Sequence, residues 1–321
     1  MNSPSTPSPR AARSTSRTAH PRPVLKWAGG KRQLMDALVA RLPAGLFDGT
    51  ITRYIEPFTG GGALFFELMH HDDLRLDEII LLDANAHLMT VYEAIRHDVE
   101  ALIPRLAVFQ DDYMARDARG RSALYYATRE AFNAFDADDT SAEGKLEQAA
   151  RFIFLNKTCF NGLYRVNSRG AFNVPVGRYK RPGICDAPNL RAAAEALSRV
   201  TLRCADYSAC REHVSAADAP HTLLYFDPPY RPISATANFN EYAGSFDDDA
   251  QRDLATLARD LSALGAHTML SNSDPRSTNP EDAFFDDLYH GFTIARVPAR
   301  RMINSNAEAR GPITELVITS Y

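Results

Sequence analysis

The chain has 321 residues, with 36 Lys or Arg, 40 Asp or Glu and a formal net charge of −4, enough for one large or two ordinary domains. No apolar run approaches the roughly 18 residues of a membrane-crossing helix, so no span is expected. The four cysteines (Cys159, Cys185, Cys204, Cys210) show no CxxC spacing and no histidines at zinc-ligand spacing, which argues for free thiols in a reducing cytoplasm and against a metal site.

Residues 1–22 hold no acid and many Ser, Thr, Pro and Arg. Lacking an apolar segment, they read as a disordered basic tail, not a secretory signal. From Pro23, Val24-Leu25 leads into Lys26-Trp27-Ala28-Gly29-Gly30-Lys31 and a helical pattern through Leu34, Leu38 and Leu42. Tyr54-Ile55 is a short strand, followed by Glu56-Pro57-Phe58-Thr59-Gly60-Gly61-Gly62 and a helix over about 63–69. A second strand, 78–82, ends at Asp83, and 85–95 is helical. Strand, glycine loop, helix, strand and acid in that order open a doubly wound α/β sheet.

Residues 98–150 change character: they read as helical with weak periodicity, and acids gather near Asp136 to Asp139. Residues 151–182 then carry Arg151, Lys157, Arg165, Arg169, Arg178, Lys180 and Arg181 without one Asp or Glu, interleaved with Phe152, Phe154, Phe160, Tyr164, Phe172 and Tyr179. The whole-chain charge argues weakly against nucleic acid, but an average hides a patch such as this. A helix near 188–199, strands near 200–204 and 223–226, a helix near 248–264, and strands near 267–271, 292–297 and 313–320 resume the α/β pattern. The simplest organisation is a tail over 1–22, a catalytic α/β domain over 23–97 and 191–321, and an inserted helical module over 98–190.

Asp227-Pro228-Pro229-Tyr230 directly follows the apolar run Leu223–Phe226. That places a carboxylate, two prolines and an aromatic at the carboxyl end of a sheet strand, where open α/β sheets bind ligands. Prolines fix φ and remove backbone donors, leaving acceptors suited to a planar amine such as that of adenine. Taken alone, the tetrapeptide fits an ordinary strand-ending turn equally well. The glycine loop offers backbone N–H groups and a helix start, and Asp83 stands where a carboxylate accepts ribose hydroxyls. The loop is Gly60-x-Gly62-x-x-Phe65 rather than GxGxxG. It therefore suits a nucleoside without phosphates, such as S-adenosylmethionine, better than a dinucleotide. Glu56, before the loop, suits a ligand amino group.

These segments occur together with Leu82-Asp83-Ala84-Asn85, Phe160-Asn161-Gly162-Leu163, Phe172-Asn173-Val174-Pro175, Gly177-Arg178-Tyr179-Lys180 and Ser234-Ala235-Thr236-Ala237-Asn238-Phe239. In this order the set closely resembles the Dam-like (D12 class) DNA adenine-N6 methyltransferases, over about residues 23–320. The resemblance implies a Rossmann-like seven-stranded methyltransferase sheet with an inserted helical DNA-recognition domain. By motif it implies that Trp27, Lys31, Asp83 and Asp227 contact the cofactor, that Phe58 lies beside its methionine part, and that Asp206-Tyr207 flanks its adenine. The recognition region is similar to the branch that reads GATC. There Lys26 reaches the outer G·C pair and Phe160, Tyr in much of the branch, inserts beside the flipped adenine. Asn161, Leu163, Arg165 and Pro175 match base-reading positions, and Arg178 matches a phosphate contact. Tyr164 and residues 98–150 match no pattern of the branch.

The expectation is thus a site-specific, adenine-specific DNA methyltransferase. It would use S-adenosylmethionine and no metal, with Asp227, Pro228 and Tyr230 as catalytic residues and duplex DNA as partner. A cytoplasmic monomer, drawn to the nucleoid through DNA and of the kind found in restriction-modification, is the accompanying expectation; whether an endonuclease accompanies it is left open by the sequence. The alternatives are methylation of another planar amine (cytosine N4, RNA adenine or a glutamine side chain) and a DNA-binding regulator without activity.

Overall fold

The computed structural model describes residues 20–27, 29, 31–135, 141–232, 246–299 and 313–321. The proposed tail up to residue 19, Ala28, Gly30, the acids at 136–139 and the Ser234–Phe239 motif lie outside the described residues.

Seven strands form one sheet: β1 (Arg53–Glu56), β2 (Glu78–Asp83), β3 (Val200–Cys204), β4 (Thr222–Phe226), β5 (His267–Ser273), β6 (Thr293–Ala299) and β7 (Ile313–Thr319), in the order β3-β2-β1-β4-β5-β7-β6. The first five strands run parallel, while β7 runs antiparallel between β5 and β6. The chain leaves β1 toward β2 and β3 on one side and returns to β4 and β5 on the other. The order therefore reverses between β1 and β4, and the carboxyl ends of these strands splay open a crevice there.

Central strands are buried on both faces, which explains the unbroken apolar run of β4. Alternation along the pleat sends Tyr54, Leu81, Leu223 and Tyr225 into one core and Ile55, Leu82, Leu224 and Phe226 into the other.

Nine α-helices are seen among the described residues. α1 (Met35–Val39) and α2 (Gly45–Asp48) are short; of the Leu34–Leu42 periodicity only the middle, Met35–Val39, is α-helical, and α2 lies beyond it. α3 (Ala63–Leu68) follows the glycine loop. α4 (Ala86–Ala115) begins at Asn85, whose side chain accepts the Leu88 N–H. It continues past the expected end at Ile95, bends at Asp98 and carries Pro104 in its second half. α5 (Ala118–Asn133) and α6 (Ala142–Thr158) start at Asp117 and Ser141, which cap Gly120 and Gly144. α7 (Ala187–Leu197), α8 (Asp248–Ala263) and α9 (Phe284–Leu288) complete the set. No helix among the described residues is long and apolar enough to cross a membrane.

The acid-free stretch divides in two. Its first part, residues 151–158, is the end of α6, and Phe152 and Phe154 are buried there in the core. The later part leaves the helix through a 3-10 turn, Phe160–Gly162, and folds back on itself through bridges Cys159–Val176 and Val166–Phe172. Phe172 is also core, held by Asn133, which accepts the Phe172 N–H at 2.8 Å and donates to its carbonyl at 3.0 Å. Only part of the interleaved aromatic pattern therefore reaches a surface that could meet a ligand.

Candidate active site

A cleft of about 2380 Å³ opens over the β1/β4 switch point. The sheet contributes the β1 loop, Asp83 and the Asp227–Arg231 turn, the amino-terminal segment contributes Trp27 and Lys31, and the folded-back segment contributes Phe160, Asn161, Leu163, Arg165 and Pro175. Asp206 and Tyr207 line it from beyond β3.

Lys31 Nζ lies 2.6 Å from Asp227 Oδ1 and donates to the Gly29 carbonyl at 2.7 Å. The lysine side chain is only 3 % exposed, whereas that of Asp227 keeps 23 % open to the cleft. Ser271 of β5 donates to the same Oδ1 at 2.9 Å. A serine has one hydrogen, so the 2.9 Å contact between Tyr225 Oη and Ser271 Oγ must have tyrosine as donor. Two donors thus converge on Oδ1, and Oδ2 accepts none among the described residues. Burial pushes the Asp227 carboxyl above its ordinary value, while the Lys31 charge and the Lys31 and Ser271 hydrogen bonds pull it back.

Lys31 Nζ also stands 4.5 Å from the Tyr230 ring centroid, and the Tyr230 hydroxyl donates to Glu315 Oε2 at 3.1 Å. The ring is therefore fixed by a cation at its face and an acceptor at its edge. Within the turn, the Pro229 carbonyl is occupied by Gln251 Nε2 at 3.1 Å. The Pro228 carbonyl accepts no hydrogen bond among the described residues.

The glycine loop is tied to β2. Thr59 donates through its N–H and its hydroxyl to the Leu82 carbonyl, and Gly60 N–H donates to Asp83 Oδ2 at 2.9 Å. Asn85 N–H donates to Asp83 Oδ1, also at 2.9 Å. Asp83 therefore fastens the loop, and each oxygen keeps a further lone pair for a ligand hydroxyl. Gly60 sits at φ +48°, and a Cβ there would fall 2.8 Å from Trp27 Cδ1, so the indole lies directly on the loop. Trp27 stacks on Tyr164 with centroids 5.6 Å apart, and Tyr164 Oη is 2.9 Å from His87 Nδ1. Phe58 stacks on Tyr207 at 5.0 Å, with Phe246 edge-on to both.

Glu56 departs from the picture of an open cation partner. It is 2 % exposed, accepts from Tyr54 Oη at 2.8 Å, and burial lifts its carboxyl to about 8.

Lys26 is gripped through its backbone. Its N–H donates to Asn156 Oδ1 at 2.8 Å, and Asn156 Nδ2 donates to its carbonyl at 2.7 Å. Its ammonium stands 3.9 Å over the Tyr179 ring. Gly162 lets it pass, since a Cβ there would lie 2.5 Å from Lys26 Cβ. Asn161 adopts φ +55°, which an Asn tolerates better than most residues. Phe160 is half exposed, and Arg165 is oriented by Asn173 Oδ1 at 2.6 Å. Arg178 is exposed and does not line the cleft. Lys157 does line it, its amine pushed down to about 8 by burial and by Lys26.

Ser271, Glu315, Tyr164 and Phe246 escaped the sequence reading. The first two join the site only through the sheet pairing of β4, β5 and β7. Tyr164 carried one signal, its place among the aromatics of the acid-free stretch. Among the described residues, no group of three or more His, Cys, Asp or Glu could hold a metal ion.

A switch-point cleft, a glycine loop answered by an acid at the end of β2, and an Asp-Pro-Pro-Tyr turn after β4 define a Rossmann-like methyltransferase. Residues 27–303 match the model of the D12 class N6 adenine-specific DNA methyltransferases, and the chain belongs to that family. It is 42 % identical over 302 residues to the Type II methyltransferase M.MjaIII of Methanocaldococcus jannaschii, covering 94 % of this chain and 99 % of that protein. It is 36 % identical over 299 residues to a DNA adenine methylase of Serratia marcescens, covering 92 % and 97 %. Identity to the Type II methyltransferase M1.LlaDCHI of Lactococcus lactis subsp. cremoris is 33 % over 303 residues, covering 94 % and 95 %.

Proposed function

We propose that this protein transfers a methyl group from S-adenosylmethionine to N6 of an adenine flipped out of duplex DNA, within the sequence GATC. The observation that carries the reading is the division of labour at Asp227: Lys31 and Ser271 both engage Oδ1. Oδ2 and the Pro228 carbonyl are left as the acceptors of the turn. An adenine amine has two hydrogens, and these two acceptors answer them. An adenine inside a duplex has its N6 hydrogen-bonded and stacked away, so it must leave the helix to reach them.

The residues around the glycine loop fit the methyl donor. Asp83 keeps lone pairs for hydroxyls, and the carboxylates of Asp206 and Asp227 line the same cleft as Trp27 and Phe58. Lys31, the cation beside them, is committed to Asp227 and Gly29, so this part of the cleft favours a cationic nucleoside over a pyrophosphate. S-adenosylmethionine, when bound, supplies an electrophilic methyl group on a positively charged sulfur.

The protein's part is to aim and polarise the acceptor. Asp227 and Pro228 accept the N6 hydrogens, which localises the nitrogen lone pair and directs it toward the donor. Positive charge grows on N6 as the bond forms, and the carboxylate stabilises it; such preorganised stabilisation contributes about 3–4 kcal/mol in other enzymes. Alignment of the reactants supplies much of the remainder. Tyr230 stacks against the base. A neutral aryl amine loses its proton only after attack, so Asp227 need not be a strong base. Lys26, Phe160, Asn161, Leu163, Arg165 and Pro175 read or replace bases, Arg178 contacts a phosphate, and residues 98–190 form the recognition unit. Duplex DNA is the partner, and one chain carries every residue named.

Transfer of labelled methyl to GATC duplex, lost in Asp227→Ala without loss of fold, tests the reaction. Full activity in that variant overturns the mechanism. Methylation-sensitive sequencing of DNA from cells expressing the protein tests the site, and methyladenine at another sequence overturns the GATC assignment.

A further inference from the structure

Behind the Asp227–Tyr230 turn lie two amides with no exposed surface, Gln251 of α8 and Asn272 of β5, each 0 % exposed. A buried amide is costly unless its donors and acceptors are matched. Here they are matched to the turn. Gln251 Nε2 donates to the Pro229 carbonyl and Asn272 Nδ2 donates to Gln251 Oε1, both at 3.1 Å. Asn272 Oδ1 accepts the backbone N–H of Arg231 at 3.0 Å and that of Ser273 at 2.9 Å. These orientations are dictated by chemistry, because a carbonyl only accepts and a backbone N–H only donates.

The two prolines remove two of the N–H groups with which the turn could fix itself. The main chain is instead held on both sides of Tyr230, at the carbonyl before it and the N–H after it. Ser273 Oγ adds a third point, donating to the Arg231 carbonyl at 2.6 Å. The Arg231 side chain continues the anchorage outward, with two bonds to Asp248 at 2.7 and 3.1 Å and one to Asp282 at 2.9 Å. Neither Gln251 nor Asn272 lines the cleft, so both act through the turn.

We propose that the Gln251–Asn272 pair is the positioning element of the methyl-transfer site. By engaging the Pro229 carbonyl and the Arg231 N–H, it sets the peptide planes so that the Pro228 carbonyl faces the acceptor amine. The inference rests on the methyl-transfer reading given above.

The test uses the full chain and a duplex that the wild type methylates. Gln251→Met keeps the volume and loses both hydrogen bonds. Its kcat falls on the order of a hundredfold, the scale of a small misplacement of reacting groups, while S-adenosylhomocysteine binds within about twofold of wild type, because the glycine loop is untouched. Gln251→Glu provides a readout that a purely structural role would not move. As a neutral acid it still donates to the Pro229 carbonyl; as a carboxylate it can only repel it. Burial raises the pKa of such an acid into the working range. The ratio of its kcat to that of wild type is therefore highest near pH 6 and falls about tenfold or more by about pH 9, whereas the Met ratio stays flat.

Wild-type kcat in Gln251→Met, or a Glu ratio as flat as the Met ratio, overturns the proposal. Should Gln251→Met fail to fold, the Glu profile decides alone. Wild type and Asp227→Ala are assayed alongside. If wild type transfers no methyl to DNA, or Asp227→Ala keeps full activity, the function falls and this inference with it. If those controls behave and the Gln251 variants do not, the positioning role alone falls.

Discussion

Lys31 and Asp227 meet at 2.6 Å on the floor of the cleft, the lysine nearly sealed from solvent and the carboxylate open on one side. The lysine arrives from the segment before β1 and the carboxylate from the end of β4, so the contact forms only when the sheet is closed around its switch point. Its chemical effect is to hold a buried acid in the ionised form against the desolvation that pushes its pKa up.

Lys31→Met removes that counter-charge. The carboxyl, already raised by burial, rises further, and less of it is ionised at any given pH. The acid limb of the kcat/KM profile for methyl transfer moves to higher pH by about one unit or more, the usual effect of a close opposite charge. Wild-type and variant profiles that superimpose would show that the ion pair does not govern the acid.

Glu56 gives a prediction about stability. Its folded-state carboxyl titrates at about 8, above the 4.5 of an ordinary glutamate, chiefly because it is buried. Between those values the native state holds a proton that the unfolded chain has released. Stability contributed by the protonated form is complete below the unfolded value and is lost as pH rises toward about 8. Glu56→Gln mimics the protonated side chain and keeps an oxygen for Tyr54. Its stability relative to wild type grows with pH across this window, by at most about 1.4 kcal/mol per unit. Denaturant melts at several pH values without ligand check this, and a constant difference contradicts it.

Trp27 is the single tryptophan of the chain, so its fluorescence reports one place. S-adenosylhomocysteine should change its emission. In Gly60→Ala the new methyl group, at a left-handed backbone position, meets the indole at 2.8 Å. The variant shows an altered ring environment and binds the ligand at least about tenfold more weakly, since a loop that must shift loses its register with the ligand. Unchanged emission and affinity would remove Trp27 and the loop from the donor site.

On the proposed function, Phe160 and Arg165 separate two events on DNA. Phe160→Ala removes a half-exposed ring at the cleft. It lowers the fluorescence rise of a 2-aminopurine placed at the target adenine while leaving duplex affinity largely intact, because the phosphate contacts remain. Arg165→Ala relaxes discrimination at one base pair by about 1–3 kcal/mol. Specificity that survives Arg165→Ala unchanged would assign base reading elsewhere.

β1, β2 and β4 were legible because each is a short apolar run ended by an acid, and β3, β4 and β5 begin within a residue of where the pattern puts them. The placement of β7 between β5 and β6 was not, since local pattern does not state which neighbour a strand pairs with. Nor was the length of α4, whose turns beyond Asp98 stay helical by packing against α6 and α7 despite weak periodicity. In the acid-free stretch, charge and ring counts could not tell core from surface: Phe152, Phe154 and Phe172 are interior, Phe160 is not. At the site, Asp227, Lys31, Asp83, Trp27 and Phe58, each singled out by a motif, line one cleft. Ser271 and Glu315 belong to no motif and are delivered by register alone.

The two-point grip of Asn156 on Lys26 makes the stretch before β1 as much a part of the helical half as of the sheet. Arg22 repeats the pattern, exchanging hydrogen bonds with Asn189 and reaching Asp186. The molecule is thus sewn together by its own opening residues. A chimaera that imports a relative's residues 98–190 alone would leave those stitches facing foreign partners. Two stretches far apart in the sequence are thus bonded as one unit, and they have to be inherited, or engineered, together.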